Sequence, residues 1–210
     1  MAVKKVILIG GGGHALSLLE MLDDMSTIAG YVDLVPNDLM PIKYLGNDEF
    51  VLNHYLPNNY EVHHALVYKD KVDFSLRKKM IDLYCNYNTH SFIARSALVT
   101  ANSKLSAGSA IFEKTIINRS MVGHNCVINT GSIIEHDCKI GNNVFIAPGV
   151  TISGEVTINS NTFVGSGVIV RDGVTICENV IIGMGSVVTR DLLVPGKYYG
   201  IPAKLVEKYG

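Results

Sequence analysis

The sequence of 210 residues predicts an α/β unit followed by a coil of short parallel strands. Three observations carry that reading. An apolar, β-type run near the N-terminus breaks on four consecutive glycines and gives way to helical composition. Strand-like and helix-like stretches then alternate to about residue 90. From about Ser91 onward, apolar branched residues recur at every sixth position, a period that neither a helix nor a simple amphipathic strand generates.

The elements of residues 1–90 are justified in order. Val6–Ile9 is a short run suited to a buried strand, and Gly10–Gly13 ends it. His14–Asp24 has helical composition, with Leu16, Leu19 and Leu22 on related faces. Ile28–Val32 reads as a second strand ending at Asp33, and Leu34–Asp48, rich in Pro, Asn and Asp, reads as loop. His63–Tyr68 is the candidate third strand, and Asp73–Tyr84 is a helix candidate with Asp73 as its N-cap.

Residues 91–210 follow one rule. Val122, Ile128, Ile134, Ile140, Ile146, Ile152, Ile158, Val164, Val170, Ile176, Ile182 and Val188 stand six apart, and all twelve are Val or Ile. The residues four places further on, from Cys126 to Ser186, are all small or β-branched. Ten of the eleven residues three places on, from Asn125 to Gly185, are Gly, Asn or Asp, which tolerate positive φ at a corner; Glu155 is the other. The physical solution is a coil of flat faces whose branched side chains stack inside, with about five or six rungs. An earlier stretch, Ile93, Val99, Leu105 and Ile111, keeps the spacing one residue out of phase. A bulge or shortened turn near Ile116–Met121 must absorb that slip.

Composition narrows the function. With 18% charged residues and a net charge of −1, the chain lacks the broad basic face of a nucleic-acid protein. No apolar run approaches the roughly 20 residues of a membrane span, and the run after Lys4-Lys5 is too short for a signal peptide. Cys85, Cys126, Cys138 and Cys177 show no CxxC spacing and read as free thiols of a cytoplasmic protein. His90, His124 and His136 are not closely paired, so no metal site is expected. Cys126 and Cys138 fall on inward positions and read as small core residues.

Three segments stand out for chemistry. Gly10-Gly11-Gly12-Gly13-His14-Ala15 follows a strand and opens a helix, where backbone N–H groups meet an anion. The pattern fits a loose dinucleotide fingerprint with Asp33 near ribose-binding distance, yet 90 residues supply about one mononucleotide-binding half. A tight structural turn is the alternative. His14 is then a phosphate-side donor or a helical residue with a solvated ring. His136, two places after Ile134, projects outward at a corner between Glu135 and Asp137. On spacing alone, a solvated turn histidine among acids is the simpler reading. The third segment is Gly200–Lys204, after the last rung.

Together, Ile7–Ala15 (ILIGGGGHA), Asn129–Asp137 (NTGSIIEHD) and Gly200–Lys204 (GIPAK) bracket almost the whole chain. In these pieces and in its repeats the chain resembles the hexapeptide-repeat acyltransferases. It is most similar to the bacterial sugar acetyltransferases with an N-terminal nucleotide-binding-like domain. That branch includes the sialic acid O-acetyltransferases and the N-acetyltransferases acting on nucleotide-linked 4-amino-4,6-dideoxy sugars. The resemblance implies a Rossmann-like domain over 1–90 that binds the nucleotide sugar, and a left-handed parallel β-helix with a C-terminal tail over 91–210. It implies a cytoplasmic homotrimer that uses acetyl-CoA and no metal in surface polysaccharide biosynthesis.

The resemblance also distributes roles. His136 becomes the general base with Asp137 as its orienting acid. Gly12, Gly13, His14 and Asp33 take the nucleotide sugar. Gly154 takes the position whose N–H meets the thioester carbonyl, or it is simply another corner glycine. Lys204 meets a CoA phosphate. Phe145 stands where several relatives have a cofactor-touching histidine, and Val67-Tyr68-Lys69-Asp70 stands where the family has a Gly-Asn or Gly-Asp pair. An N-acetyltransferase is the leading expectation. The rivals are a sugar O-acetyltransferase of the sialic acid type, a non-catalytic nucleotide-sugar-binding scaffold and a nicotinamide dehydrogenase; the last leaves the repeats unexplained.

Overall fold

The computed structural model describes residues 4–67 and 75–209. The chain divides into two compact units, Met1–Ser91 and Phe92–Gly210.

The first unit is built on a three-stranded parallel sheet. β1 (Lys5–Ile9) lies in the middle, flanked by β2 (Ile28–Val32) and β3 (Tyr60–His64). α1 (Gly13–Glu20) follows β1, α2 (Asp48–His54) precedes β3, and α3 (Ser75–Leu83) follows it. Val6 to Ile9 are all buried, as a strand covered on both faces demands. Ile7, Ile9, Val32, Val51, Val62 and Met80 share one core.

Three elements differ from the sequence-based expectation. The helix expected to reach Asp24 ends at Glu20, because acids oppose the negative C-terminal end of a helix. Asp24 instead closes a local turn, accepting the Ser26 N–H at 2.7 Å and the Ser26 hydroxyl at 2.5 Å. The third strand runs Tyr60–His64 rather than from His63 to Tyr68. It pairs residue for residue with Lys5–Ile9 and stops where β1 stops, at the glycines. α2 was not foreseen; Asn47 caps it by accepting the Phe50 N–H at 3.0 Å, with Asp48 and Glu49 in its first turn. Tyr68–Asp70 and Asp73 lie outside the described residues.

The second unit is a parallel β-helix of two-residue strands, from Phe92–Ile93 to Val187–Val188 apart from the three-residue Val180–Ile182. They stack into three parallel sheets. All twelve residues of the six-residue series are buried, from Val122 to Val188, as are the eleven at the fourth place after each. All eleven corner residues from Asn125 to Gly185 adopt positive φ, Glu155 included at 63°. A non-glycine residue in that conformation costs about 1–2 kcal/mol. Each inward Ile or Val returns about 1.5–3 kcal/mol on burial, so the stack dictates the corner even at Glu155.

The phase slip is resolved by a shortened turn. Most strands are separated by four residues, but only Asn118, Arg119 and Ser120 separate Ile116–Ile117 from Met121–Val122. Arg119 takes positive φ there (46°), and Ser120 replaces the missing inward residue, fully buried. The third sheet has one strand fewer than the second, and Leu192 bridges Ile176 in its place. Gly196–Tyr199 and Lys204–Lys208 then form an antiparallel pair that closes the coil.

Candidate active site

In the first unit, the glycines form a braced turn. Asp33, at the end of β2, accepts the Gly11 N–H at 2.9 Å and the Leu34 N–H at 2.7 Å. Asn37 donates its side-chain amide to the Gly11 carbonyl at 2.7 Å, and its own N–H bonds the Tyr31 hydroxyl at 2.7 Å. Gly11 packs against the Tyr31 ring so closely that a Cβ would stand 2.4 Å from it. Gly12 and Gly13 face open space, with nothing within 4 Å of a Cβ at either. Gly12 is the N-cap of α1 and brings no side chain to cap it. The open glycines thus lie at the positive end of the helix.

Of the two readings open for His14, the solvated ring does not hold. Its Nε2 is buried, and burial, with the nearby Arg77 charge, lowers its pKa to about 4, so the ring is neutral at pH 7. His63 and His64, to which the sequence assigned no role, are buried at the end of β3. Burial drives both to about 3. His63 Nδ1 lies 2.9 Å from the His90 carbonyl, an acceptor only, so that nitrogen carries the proton. Arg77, buried among them, donates to the carbonyls of His64 and Leu66.

In the second unit, His136 sits at a corner with about half its side chain exposed. Its Nδ1 is 3.0 Å from Asp137 Oδ2, which fixes the tautomer: Nδ1–H donates, and Nε2 keeps its lone pair. Asp137, at φ 61°, also receives Arg119, with Nε 3.2 Å from Oδ1 and Nη2 2.6 Å from Oδ2. The Arg119 guanidinium, and then His136, hold the Asp137 carboxyl below its usual range. Glu135, the other flanking acid, turns away to accept Asn118 Nδ2 at 3.2 Å.

Gly154 lies eighteen residues after His136, against its ring. A Cβ there would stand 2.6 Å from Cε1, 2.7 Å from Nε2 and 3.1 Å from Nδ1. The corner therefore requires glycine for a reason that turn geometry alone does not supply. Arg119 stands eighteen residues before Asp137, and this partnership the sequence reading missed. The rung period, three hexapeptides, was the signal that would have found it.

The remaining residues are placed as follows. Phe145 stacks on Phe163 with ring centroids 5.3 Å apart, on adjacent strands of one sheet. Lys204 opens the last strand and is exposed. Cys126 and Cys138 are buried in the coil, and burial pushes the Cys138 thiol up. Among the described residues, no group of three His, Cys, Asp or Glu side chains is placed to hold a metal ion. No described helix is long and apolar enough to cross a membrane.

Residues 119–154 and 155–190 match the family of the bacterial transferase hexapeptide (six repeats). The solved structure of PerB from Caulobacter crescentus, in complex with CoA and GDP-perosamine, is 31% identical. It covers 98% of both chains with a TM-score of 0.87. A histidine-to-asparagine mutant of perosamine N-acetyltransferase from the same organism, with the same two ligands, is 30% identical over 99% of both chains, TM-score 0.84. The acetyltransferase domain of PglB from Neisseria gonorrhoeae covers 97% of this chain and 100% of its own. Its TM-score is 0.87 at 22% identity, a likeness of fold. No curated protein matches the sequence significantly. The parallel strands and six-residue repeats fit a left-handed β-helix, and the chain belongs to the bacterial hexapeptide-repeat sugar acetyltransferases.

Proposed function

We propose that the protein is an acetyl-CoA-dependent N-acetyltransferase that forms an amide on a nucleotide-linked amino sugar of the 4-amino-4,6-dideoxy type. His136 is the general base. The observation that carries the reading is the His136–Asp137 contact, which leaves Nε2 as a free base directed away from the carboxylate. The similarity to PerB, whose structure holds CoA and GDP-perosamine, supports the choice of donor and acceptor.

In this reading the acceptor amine attacks the thioester carbonyl carbon while His136 Nε2 takes its proton. The tetrahedral intermediate collapses, the carbon–sulfur bond breaks, and the imidazolium returns the proton to the leaving CoA thiolate. The Gly154 N–H is assigned to the oxyanion, and Lys204 to a phosphate of CoA. The first unit, read as a Rossmann-like domain of residues 1–90, takes the nucleotide sugar. Its diphosphate meets the open backbone at Gly12 and Gly13, with His14 as a neutral donor and Asp33 bracing the loop beside the ribose. Residues 91–210 form the acetyltransferase domain.

The same reading makes the protein a homotrimer. Leu98, Ile116, Ile133, Thr151 and Ile169 align in one row across an outward sheet face, apolar but for Thr151, with Leu98 and Ile169 about half exposed. A symmetric partner would cover such a face. Its place is the cytoplasm, where acetyl-CoA and nucleotide sugars are available, and its product serves surface glycan assembly.

Replacing His136 with Ala or Asn tests the assignment. Turnover should fall by roughly 10²-fold or more, the scale of general-base loss, with folding intact because the ring fills no core space. Full turnover by a correctly assembled variant would remove the histidine from the mechanism.

A further inference from the structure

We infer that Arg119 is a positioning residue for this reaction: it holds the Asp137 carboxylate at the point from which one oxygen orients His136, and it draws off part of that carboxylate's charge. The inference rests on the reading of His136 as base. Its geometry is independent of that reading.

Asp137 Oδ2 is shared. It receives Arg119 Nη2 at 2.6 Å and His136 Nδ1 at 3.0 Å, while Oδ1 receives Arg119 Nε at 3.2 Å. A two-pronged guanidinium fixes both the place and the plane of a carboxylate, which a single bond to the imidazole does not. Arg119 itself is held from both sides. Its N–H bonds Thr100 Oγ1 at 2.8 Å, and its carbonyl accepts the Asp137 N–H at 3.1 Å. The shortened turn Asn118–Ser120 brings it there, at a positive φ that arginine adopts only at a cost.

Stability does not account for the pair. More than half of the Arg119 side chain and nearly half of that of Asp137 are exposed, and exposed ion pairs contribute little to folding. What the pair alters is the charge offered to the ring. An unshared carboxylate would favour the imidazolium and draw the base toward its inactive form; a carboxylate already paired with arginine orients the ring with less of that penalty. The other ionisable groups on adjoining corners are Glu135, bonded to Asn118, and Glu155 on the following rung, whose N–H bonds the His136 carbonyl at 2.8 Å. Both are acids, so Arg119 supplies the positive charge at this corner.

The test compares Arg119→Gln and Arg119→Lys, which meet the same backbone requirement, with the parent enzyme. NMR titration of the His136 ring, assigned with the His136→Asn variant, reads the effect directly. Arg119→Gln should raise the midpoint, because a positive charge beside the ring is removed, and lower plateau kcat about three- to fivefold. Arg119→Lys should restore the midpoint better than kcat, because it returns the charge without the fork. In an Asp137→Asn background, Arg119→Gln should have no further effect. An unchanged midpoint, or an equal loss in the Asp137→Asn background, would overturn the inference. Full turnover by His136→Ala would instead overturn the general-base reading, while the NMR midpoint still decides the role of Arg119.

Discussion

Gly154→Ala isolates the corner glycine's contact with His136. The added methyl would meet three ring atoms at 2.6, 2.7 and 3.1 Å, where ordinary carbon contacts begin near 3.4 Å. The ring must therefore move by about 0.8 Å or rotate away from Asp137. A displacement on the order of 1 Å at a catalytic group costs about 10²-fold in rate. The backbone is not the obstacle, since Gly154 is absent from the residues at positive φ. The 154 N–H also survives the substitution, so loss of an oxyanion donor cannot mimic the effect. Steady-state kinetics should show kcat reduced about 10²-fold, with KM for the nucleotide sugar little changed. Thermal melting and light scattering should match the parent. Undiminished kcat in a normally assembled variant would refute the claim that Gly154 sets the position of the ring.

Other expectations concern the first unit. His63 and His64 have folded pKa values near 3, below the unfolded value of about 6.5, so the stability they confer is fully present above pH 6.5 and is lost as pH falls toward 3. By pH 5 each should have withdrawn roughly 2 kcal/mol. Near-UV circular dichroism reads this unit well, because seven of the ten tyrosines lie in residues 1–91, and a melting temperature flat from pH 7 to 5 would contradict the assignment. Gly11→Ala forces a methyl into the Tyr31 ring and should cost about 1–3 kcal/mol in the same assay; an unchanged melt would show that the loop gives way freely. Gly12→Asp, pointing into open space, should leave the fold intact and raise KM for the nucleotide sugar alone, by charge repulsion. An equal rise for acetyl-CoA would mean that the donor binds there.

Much of the coil was legible because burial and backbone conformation repeat together. From Val122 to Val188, the inward series and its positive-φ corners follow from counting sixes, and even Glu155 obeys its position rather than its residue type. The slip at Asn118–Ser120 was locatable from the phase change, but which device absorbed it depended on Ser120 turning inward. Contacts between rungs were harder to read. His136 and Asp137 are neighbours in sequence, whereas Arg119 and Gly154 join them only through the eighteen-residue stacking distance. In the first unit the expected third strand already held His63 and His64 but missed Tyr60–Val62, whose place in the sheet is set by pairing with Lys5–Ile7. Parallel pairing with β1, a long-range constraint, set its limits.

The most direct test of the central claim is mass spectrometry of the products formed from acetyl-CoA and a panel of UDP-, dTDP- and GDP-linked sugars. The panel pairs each 4-amino sugar with its 4-hydroxy counterpart. The account predicts that one acetyl group is gained by an amino sugar as a base-stable amide, with one free CoA thiol released per product and no transfer to the hydroxy counterpart. Acetylation of the hydroxy sugars as base-labile esters, or no transfer to any nucleotide-linked amino sugar by the assembled protein, would contradict it.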